Sequence, residues 1–113
     1  MASKSVILAV DRLADLWPEP LRSPSLRLGA VLHPASVDRQ LQHTLTHLQT
    51  LDGECFKLSA LFGPQHGFGG STQDNMIEWV GFRHPQLGIP VHSLYGAHRE
   101  PTRAMLDPLD ALF

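Results

Sequence analysis

The chain lacks several features that mark well-defined classes of protein. Its 113 residues include one cysteine, Cys55, so no internal disulfide can form, and both a cytoplasmic and an exported location stay open. No apolar run approaches the roughly 20 residues of a membrane-spanning helix. Nine basic and eleven acidic residues give a net charge of -2, without the clustered basic face that binds nucleic acid. With 42% hydrophobic residues, the chain can nevertheless bury a core.

The first 24 residues predict an amphipathic helix followed by a proline-rich connector. The apolar face of this helix would comprise Val6, Val10, Leu13, Leu16 and Trp17. Pro18, Pro20 and Pro24 would then end the helix. The apolar stretch is too short for the core of a signal peptide, and acidic residues follow it.

Residues 25–113 alternate between apolar runs and a helical pattern, which predicts an α/β domain. Arg27–Leu32, Phe56–Phe62 and Ile89–Tyr95 are predicted strands, and Val37–Leu51 is a predicted helix with Ser36 as its N-cap. A strand, a helix and a strand at this spacing form a unit with parallel strands. We therefore expect a Rossmann-like parallel sheet with flanking helices.

The C-terminal residues predict a short helix and one more apolar run. The helix would extend from Pro101 to Met105, and the run Leu109–Phe113 would begin a further strand. Parallel strands need cover on both faces, and no such cover follows this run. We therefore expect the sequence to be the N-terminal part of a longer, truncated domain, which would self-associate through exposed sheet. A short domain with a docked apolar C-terminus is the alternative.

A glycine-rich segment, LFGPQHGFGGSTQDNM, follows the second predicted strand. It carries polar side chains at Gln65, His66, Gln73, Asp74 and Asn75. Loops at the carboxyl ends of parallel strands commonly hold the ligand in α/β proteins, and glycines let the backbone approach that ligand. A long ordered loop without a ligand fits the same composition. The segment lacks the lysine of a phosphate-binding loop, and no cofactor is predicted.

Four blocks of the sequence resemble the NamZ-type family of exo-β-N-acetylmuramidases. The blocks are HPASVDRQLQHT at 33–44, ALFGPQHGFGG with QDNM at 60–76, GIPVHSLYG at 88–96 and REPTRAMLDPLDALF at 99–113. The resemblance implies a Rossmann-like domain with a smaller second domain in a much longer protein. It also implies a muropeptide substrate, from which terminal N-acetylmuramic acid is hydrolysed.

The chain departs from the family pattern at a position that matters for catalysis. The family motif GPEHG places the proposed catalytic acid where this chain has Gln65, and an amide side chain has no proton to donate. Asp74 and Glu78 are then the nearby carboxylates for glycosidic hydrolysis, which usually needs two carboxyl groups. His33 also stands where the family commonly has asparagine. A non-catalytic carbohydrate- or anion-binding fragment, or a degenerate homologue, is therefore the alternative function.

Eight residues form the predicted site. The catalytic candidates are Gln65, His66, Asp74 and Glu78, and the substrate-binding candidates are His33, Asn75, Tyr95 and Arg99. Tyrosine can stack on a sugar face, and arginine can pair with the lactyl carboxylate of muramic acid. We expect His33, Gln65, His66 and Tyr95 to line one cleft.

Two further histidines have a spacing that deserves a separate interpretation. His43 and His47 are four residues apart, but no glutamate adjoins His43 as in the zinc-binding HExxH pattern. We expect them to be exposed helix histidines and predict no metal site.

Overall fold

A computed structural model of the chain describes residues 5–64 and 78–113. These residues form a five-stranded mixed sheet with short helices. The strands are β1 (Arg27–Val31), β2 (Lys57–Gly63), β3 (Phe82–Arg83), β4 (Pro90–Ser93) and β5 (Ala111–Leu112). The helices are α1 (Leu13–Leu16), α2 (Thr44–Leu51) and α3 (Arg103–Leu106), with 3₁₀ turns at Ala9–Arg12 and Glu19–Leu21. The predicted Pro101–Met105 helix is α3, displaced by two residues at its start.

The strand order is β3-β4-β2-β1-β5, and every pair except β3 with β4 is parallel. The predicted α/β class and the parallel pairing of the first two predicted strands are therefore confirmed. Because β1 has β2 on one side and β5 on the other, the chain crosses over in both directions, as in doubly wound folds. The antiparallel β3 was not predicted, since its two residues are too few to show a periodic pattern.

The main hydrophobic core lies on the face of the sheet that carries α2. Leu28, Leu61 and Val91 are almost fully buried there. The indole of Trp17 joins them, with its ring 4.8 Å from that of Phe56. Trp17 therefore packs the segment before β1 onto the core, as an apolar side chain of this size is expected to do.

The opposite face of the sheet carries Phe62 and His92, which are register partners on β2 and β4. Partners in adjacent strands project their side chains to the same side. Gly29 of β1 has no side chain, and this leaves room on the same face for side chains of β5 and of the residues before it. A Cβ atom built on Gly29 would lie 2.5 Å from Leu109 Cδ1. This face carries the cavity described below.

The predicted helix over Val37–Leu51 is wrong in its first half. Helix α2 begins at Thr44, and His43 rather than Ser36 caps it, because the His43 Nδ1 accepts a hydrogen bond from Leu45 N at 3.1 Å. The Asp38 Oδ1 accepts from the N–H groups of Gln40 and Gln42 instead. An aspartate that bonds nearby backbone N–H groups competes with a helix, which explains the loop.

The predicted amphipathic helix near the N-terminus is also wrong in extent. Only the 3₁₀ turn and α1 are helical, and Val6 and Leu16 are exposed to 72% and 51%. The short turns let Trp17 reach the core, with Leu13 packed partly against it, while most residues before Trp17 remain at the surface. In residues 5–64 and 78–113, no helix has the length and apolarity needed to cross a bilayer.

Candidate functional site

The predicted site residues divide between described and undescribed parts of the chain. Glu78, Tyr95, Arg99 and His33 are described. The remaining predictions, for Gln65, His66, Asp74 and Asn75, lie outside the described residues. Within the described residues, the site comprises the loops that follow β1 and β4 and the segment that begins at Glu78.

Three predicted residues from two segments form one cluster. The Arg99 guanidinium lies 3.9 Å from the centre of the Tyr95 ring, which is a cation–π contact. The same guanidinium donates from Nη2 to Glu78 Oε1 at 2.9 Å. Both charged side chains are more than half exposed, so solvent and ligands can reach them. We call Glu78, Tyr95 and Arg99 the arginine cluster.

Backbone contacts hold the segment that carries Glu78 against the loop after β4. Trp79 N donates to Tyr95 O at 3.0 Å, and the Trp79 indole donates to Pro64 O at 3.1 Å. Gly96 permits this approach, because a Cβ atom there would lie 2.6 Å from Trp79 O. Glu78 is thus positioned by the ends of both β2 and β4, although it is distant from β4 in sequence.

A cavity of about 280 Å³ adjoins the arginine cluster. Its volume is near the lower end for small-molecule sites. Its lining residues are Glu78, Trp79, Val80, Gly81, His92, Ser93, Gly96, Ala97, His98 and Met105. The cavity therefore combines carboxylate, imidazole and hydroxyl groups with apolar walls, as small-molecule sites commonly do.

His92 is a cavity residue that the sequence analysis did not select. Its half-buried ring lies 5.0 Å from the Phe62 ring. Burial lowers the pKa of the His92 imidazole below its ordinary value, since the charged form loses hydration. The available signal was a histidine in the middle of the apolar run IPVHSLY.

His33 occupies the carboxyl end of β1, as predicted, and takes part in the turn that follows. Its Nδ1 accepts from Ala35 N at 3.0 Å, and its carbonyl oxygen lies 3.0 Å from His43 Nε2. Since His43 Nδ1 is an acceptor at the helix cap, Nε2 carries the proton and donates. Strand β2 lies between β1 and β4, so the structure places His33 and Tyr95 at one edge of the sheet but on non-adjacent strands.

The expectation of exposed histidines on α2 is wrong. His43 is a partly buried helix cap, and His47 Nε2 lies 2.8 Å from Oδ2 of the buried Asp38. The hydrogen bond from His47, followed by that from Gln42 N–H, lowers the pKa of the Asp38 carboxyl. Among the described residues, no group of three or more His, Cys, Asp or Glu side chains is arranged to hold a metal ion.

Comparison with known proteins assigns the chain to a family. The family model for the N-terminal part of the exo-β-N-acetylmuramidase NamZ matches residues 28–113. The chain belongs to the NamZ family. It is 38% identical over 105 residues to the peptidoglycan β-N-acetylmuramidase NamZ of Bacillus subtilis, covering 91% of this chain and 24% of that protein. The resemblance seen in the sequence blocks is therefore confirmed.

A solved structure supports the same assignment. The crystal structure of a DUF1343 family protein from Bacteroides fragilis matches with a TM-score of 0.70 and 31% identity. The match covers 94% of this chain and 24% of that one. The chain thus shares the α/β fold of this DUF1343 family protein and spans about a quarter of the length of the relatives it matches.

Proposed function

We propose that this chain forms part of the substrate site of a glycosidase that releases terminal N-acetylmuramic acid from peptidoglycan fragments. Membership of the NamZ family supports a peptidoglycan glycosidase. The observation that carries the proposal is the position of Arg99, between the Tyr95 ring and the Glu78 carboxylate and beside the cavity. A cation beside an aromatic ring suits a sugar that carries a carboxylate.

The arginine cluster provides separate contacts for the ring and for the acid of muramic acid. The guanidinium lies over the Tyr95 ring, and an aromatic ring is a surface on which a sugar can pack. Arginine has five N–H donors, and the Glu78 contact uses one side of the fork. The rest of the half-exposed guanidinium is available to bind the lactyl carboxylate in a bidentate arrangement.

Glu78 is the described carboxylate best placed for a part in hydrolysis, because it lines the cavity and contacts Arg99. We propose Asp74 as its partner and assign substrate contacts to His66, Asn75 and Gln65 from the sequence motif. Gln65 cannot act as the acid, since an amide does not titrate. His33 would contact the substrate from the end of β1.

The test combines a binding assay with a hydrolysis assay on the purified chain. We expect calorimetry to detect binding of N-acetylmuramic acid. We expect no turnover of a chromogenic N-acetylmuramide, because this chain spans about a quarter of the length of the relatives it matches. Absence of binding would contradict the proposal. Turnover would mean that the carboxyl groups of this chain are sufficient for hydrolysis, and Glu78→Gln and Asp74→Asn should then each lower kcat by about a hundredfold.

A non-catalytic carbohydrate-binding role is the second candidate, and Gln65 is the observation that favours it. A planar lactone analogue of N-acetylmuramic acid discriminates the two roles. A site shaped for glycosidic hydrolysis binds such an analogue on the order of a hundredfold more tightly than the parent sugar. Equal affinities for the two ligands would support the non-catalytic role.

A further inference from the structure

His92 is the half-buried histidine of the cavity, and its ring has no hydrogen-bond partner among the described residues; the other cavity histidine, His98, is exposed. The ring nitrogens of His33, His43, His47 and His84 each lie within hydrogen-bond distance of a protein group. His92 has a ring contact with Phe62 but no hydrogen bond from residues 5–64 or 78–113. Partly buried polar groups are normally bonded to protein, water or ligand. Because the imidazole has no hydrogen-bond partner within the described part of the chain, its place in the cavity wall marks a position for a ligand group.

The surroundings of His92 favour the neutral imidazole. Phe62 packs against one side of the ring, and burial lowers the His92 pKa. The titratable groups that line the same cavity are Glu78 and His98, while α3 contributes the uncharged Met105. A neutral imidazole retains one nitrogen that accepts a hydrogen bond, and protonation removes that acceptor.

The walls beside His92 specify the shape of the ligand group. Val80, Ala97 and Met105 provide apolar surface on the side of the segment after Glu78 and on the side of α3. An acceptor nitrogen beside apolar walls suits a donor that carries a small apolar substituent. A secondary amide with a methyl group has this combination, whereas a sugar hydroxyl lacks the methyl.

We propose that His92 accepts a hydrogen bond from the N–H of a methyl-bearing secondary amide, whose methyl group packs against Val80, Ala97 and Met105. The inference rests on the proposed function, because a muropeptide contains this chemistry in two places. One is the acetamido group on the sugar ring, and the other is the amide between the lactyl group and the first amino acid. His92 would thereby select N-acylated over unmodified sugars.

Histidine-selective NMR of the purified chain tests the contact directly. The titrants are methyl N-acetyl-β-glucosaminide, methyl β-glucoside and N-lactoyl-alanine amide. We expect the His92 ring signals to move with one of the two amides and to stay in place with the glucoside. The amide that moves the His92 signals identifies which of the two amides of a muropeptide His92 contacts. His47, bonded to Asp38 on α2, is an internal control whose signals should not move.

Variants of His92 test the energetic role. His92→Phe should weaken binding of N-acetylmuramic acid about tenfold, the effect of one lost hydrogen bond, while His92→Gln should restore part of it. The affinity of the unmodified chain should fall on acidification through the His92 pKa, and that of His92→Gln should not. Thermal melts establish that each variant is folded, and the NMR titration needs no variant.

The outcomes separate this inference from the proposed function. If N-acetylmuramic acid binds through Arg99 but leaves His92 unmoved and both variants at full affinity, the inference is overturned and the function stands. An equal response to the glucoside also overturns it. If His92 responds to the amides but Arg99→Gln binds N-acetylmuramic acid normally, the inference stands and the function fails. Absence of any binding contradicts both.

Discussion

The guanidinium of Arg99 lies 3.9 Å from the centre of the Tyr95 ring, four residues earlier in the same loop. The contact positions a cation beside Glu78, which bonds the guanidinium and lines the cavity. A flexible arginine is thus oriented before any ligand arrives, which reduces the entropy lost on binding.

Replacement of Arg99 should separate recognition of the carboxylate from recognition of the sugar. Arg99→Gln should weaken the binding of N-acetylmuramic acid at least tenfold, because a charge-assisted hydrogen bond contributes about 1.5–3 kcal/mol. The substitution should leave the affinity for N-acetylglucosamine, which lacks the lactyl acid, nearly unchanged. Calorimetry with both sugars checks this. Arg103→Gln on α3, whose side chain is 93% exposed, is the matched control; an equal loss for both sugars would contradict the assignment.

Gly96→Ala should separate the segment carrying Glu78 from the loop after β4. The new methyl would lie 2.6 Å from Trp79 O, a backbone atom that cannot rotate away. We expect a loss of about 1–3 kcal/mol in the free energy of unfolding, as for overpacking elsewhere. Urea denaturation and Trp fluorescence measure it. Ala97→Ser, at the exposed next residue, should change neither the free energy of unfolding nor the Trp fluorescence.

The ion pair between Arg27 and Asp110 should make stability depend on pH. Asp110 accepts from both Arg27 Nε and Arg27 Nη2, and these bonds lower the pKa of its carboxyl to about 2. The unfolded value is near 3.9. The contribution is therefore present above pH ~4 and is lost as the pH falls through about 2. Asp110→Asn should lower Tm at pH 7, and its difference from the unmodified chain should disappear near pH 2.

The control for this prediction is the exposed pair of Arg103 and Asp107 on α3, whose side chains are 93% and 68% exposed. Asp107→Asn should leave Tm nearly unchanged at every pH, because exposed pairs contribute little. A pH-independent difference for Asp110→Asn would contradict the linkage argument.

The Asp38 carboxylate should stabilise the conformation of the loop before α2. It bonds His47 and the N–H groups of Gln40 and Gln42, and it is 4% exposed. Asp38→Ala leaves these donors without an acceptor, so we expect Tm to fall by roughly 5 °C or more. Amide exchange at Gln40 and Gln42 should accelerate. Asp52→Ala removes a comparable bond to Leu58 N and should leave exchange in this loop unchanged.

The strands that were predictable are those that lie in mainly apolar runs. β1 and β2 lie within such runs because the centres of these strands are buried and need no polar side, and β4 lies in such a run although it is only partly buried. The start of α2 was not predictable from apolar spacing. Leu41 fits the helical stripe, yet it is 80% exposed with a φ of 64°. The hydrogen bonds of Asp38 decided this segment, and their geometry depends on His47.

For the candidate site, too, some features were predictable from the sequence and others were not. Tyr95 and Arg99 were identified because their types suit a sugar and a carboxylate, and Glu78 because hydrolysis needs a carboxyl group. Their contact was not predictable, since 21 positions separate Glu78 from Arg99. His92 was missed because a histidine in a strand gives no sign of which face it occupies or what packs beside it.

The sequence by itself determined the family, the parallel strands and the residue types at the ends of those strands, because each is written in local patterns of apolar residues and short motifs. Tertiary structure alone decided which side chains meet. It brought Glu78 into contact with Arg99 and placed His92 in a cavity wall beside Phe62. Through the hydrogen bonds of Asp38, it also moved the start of α2 toward the C-terminus. The physical reason is that strand register and loop packing bring together residues that are distant in sequence, and no local pattern encodes those distances.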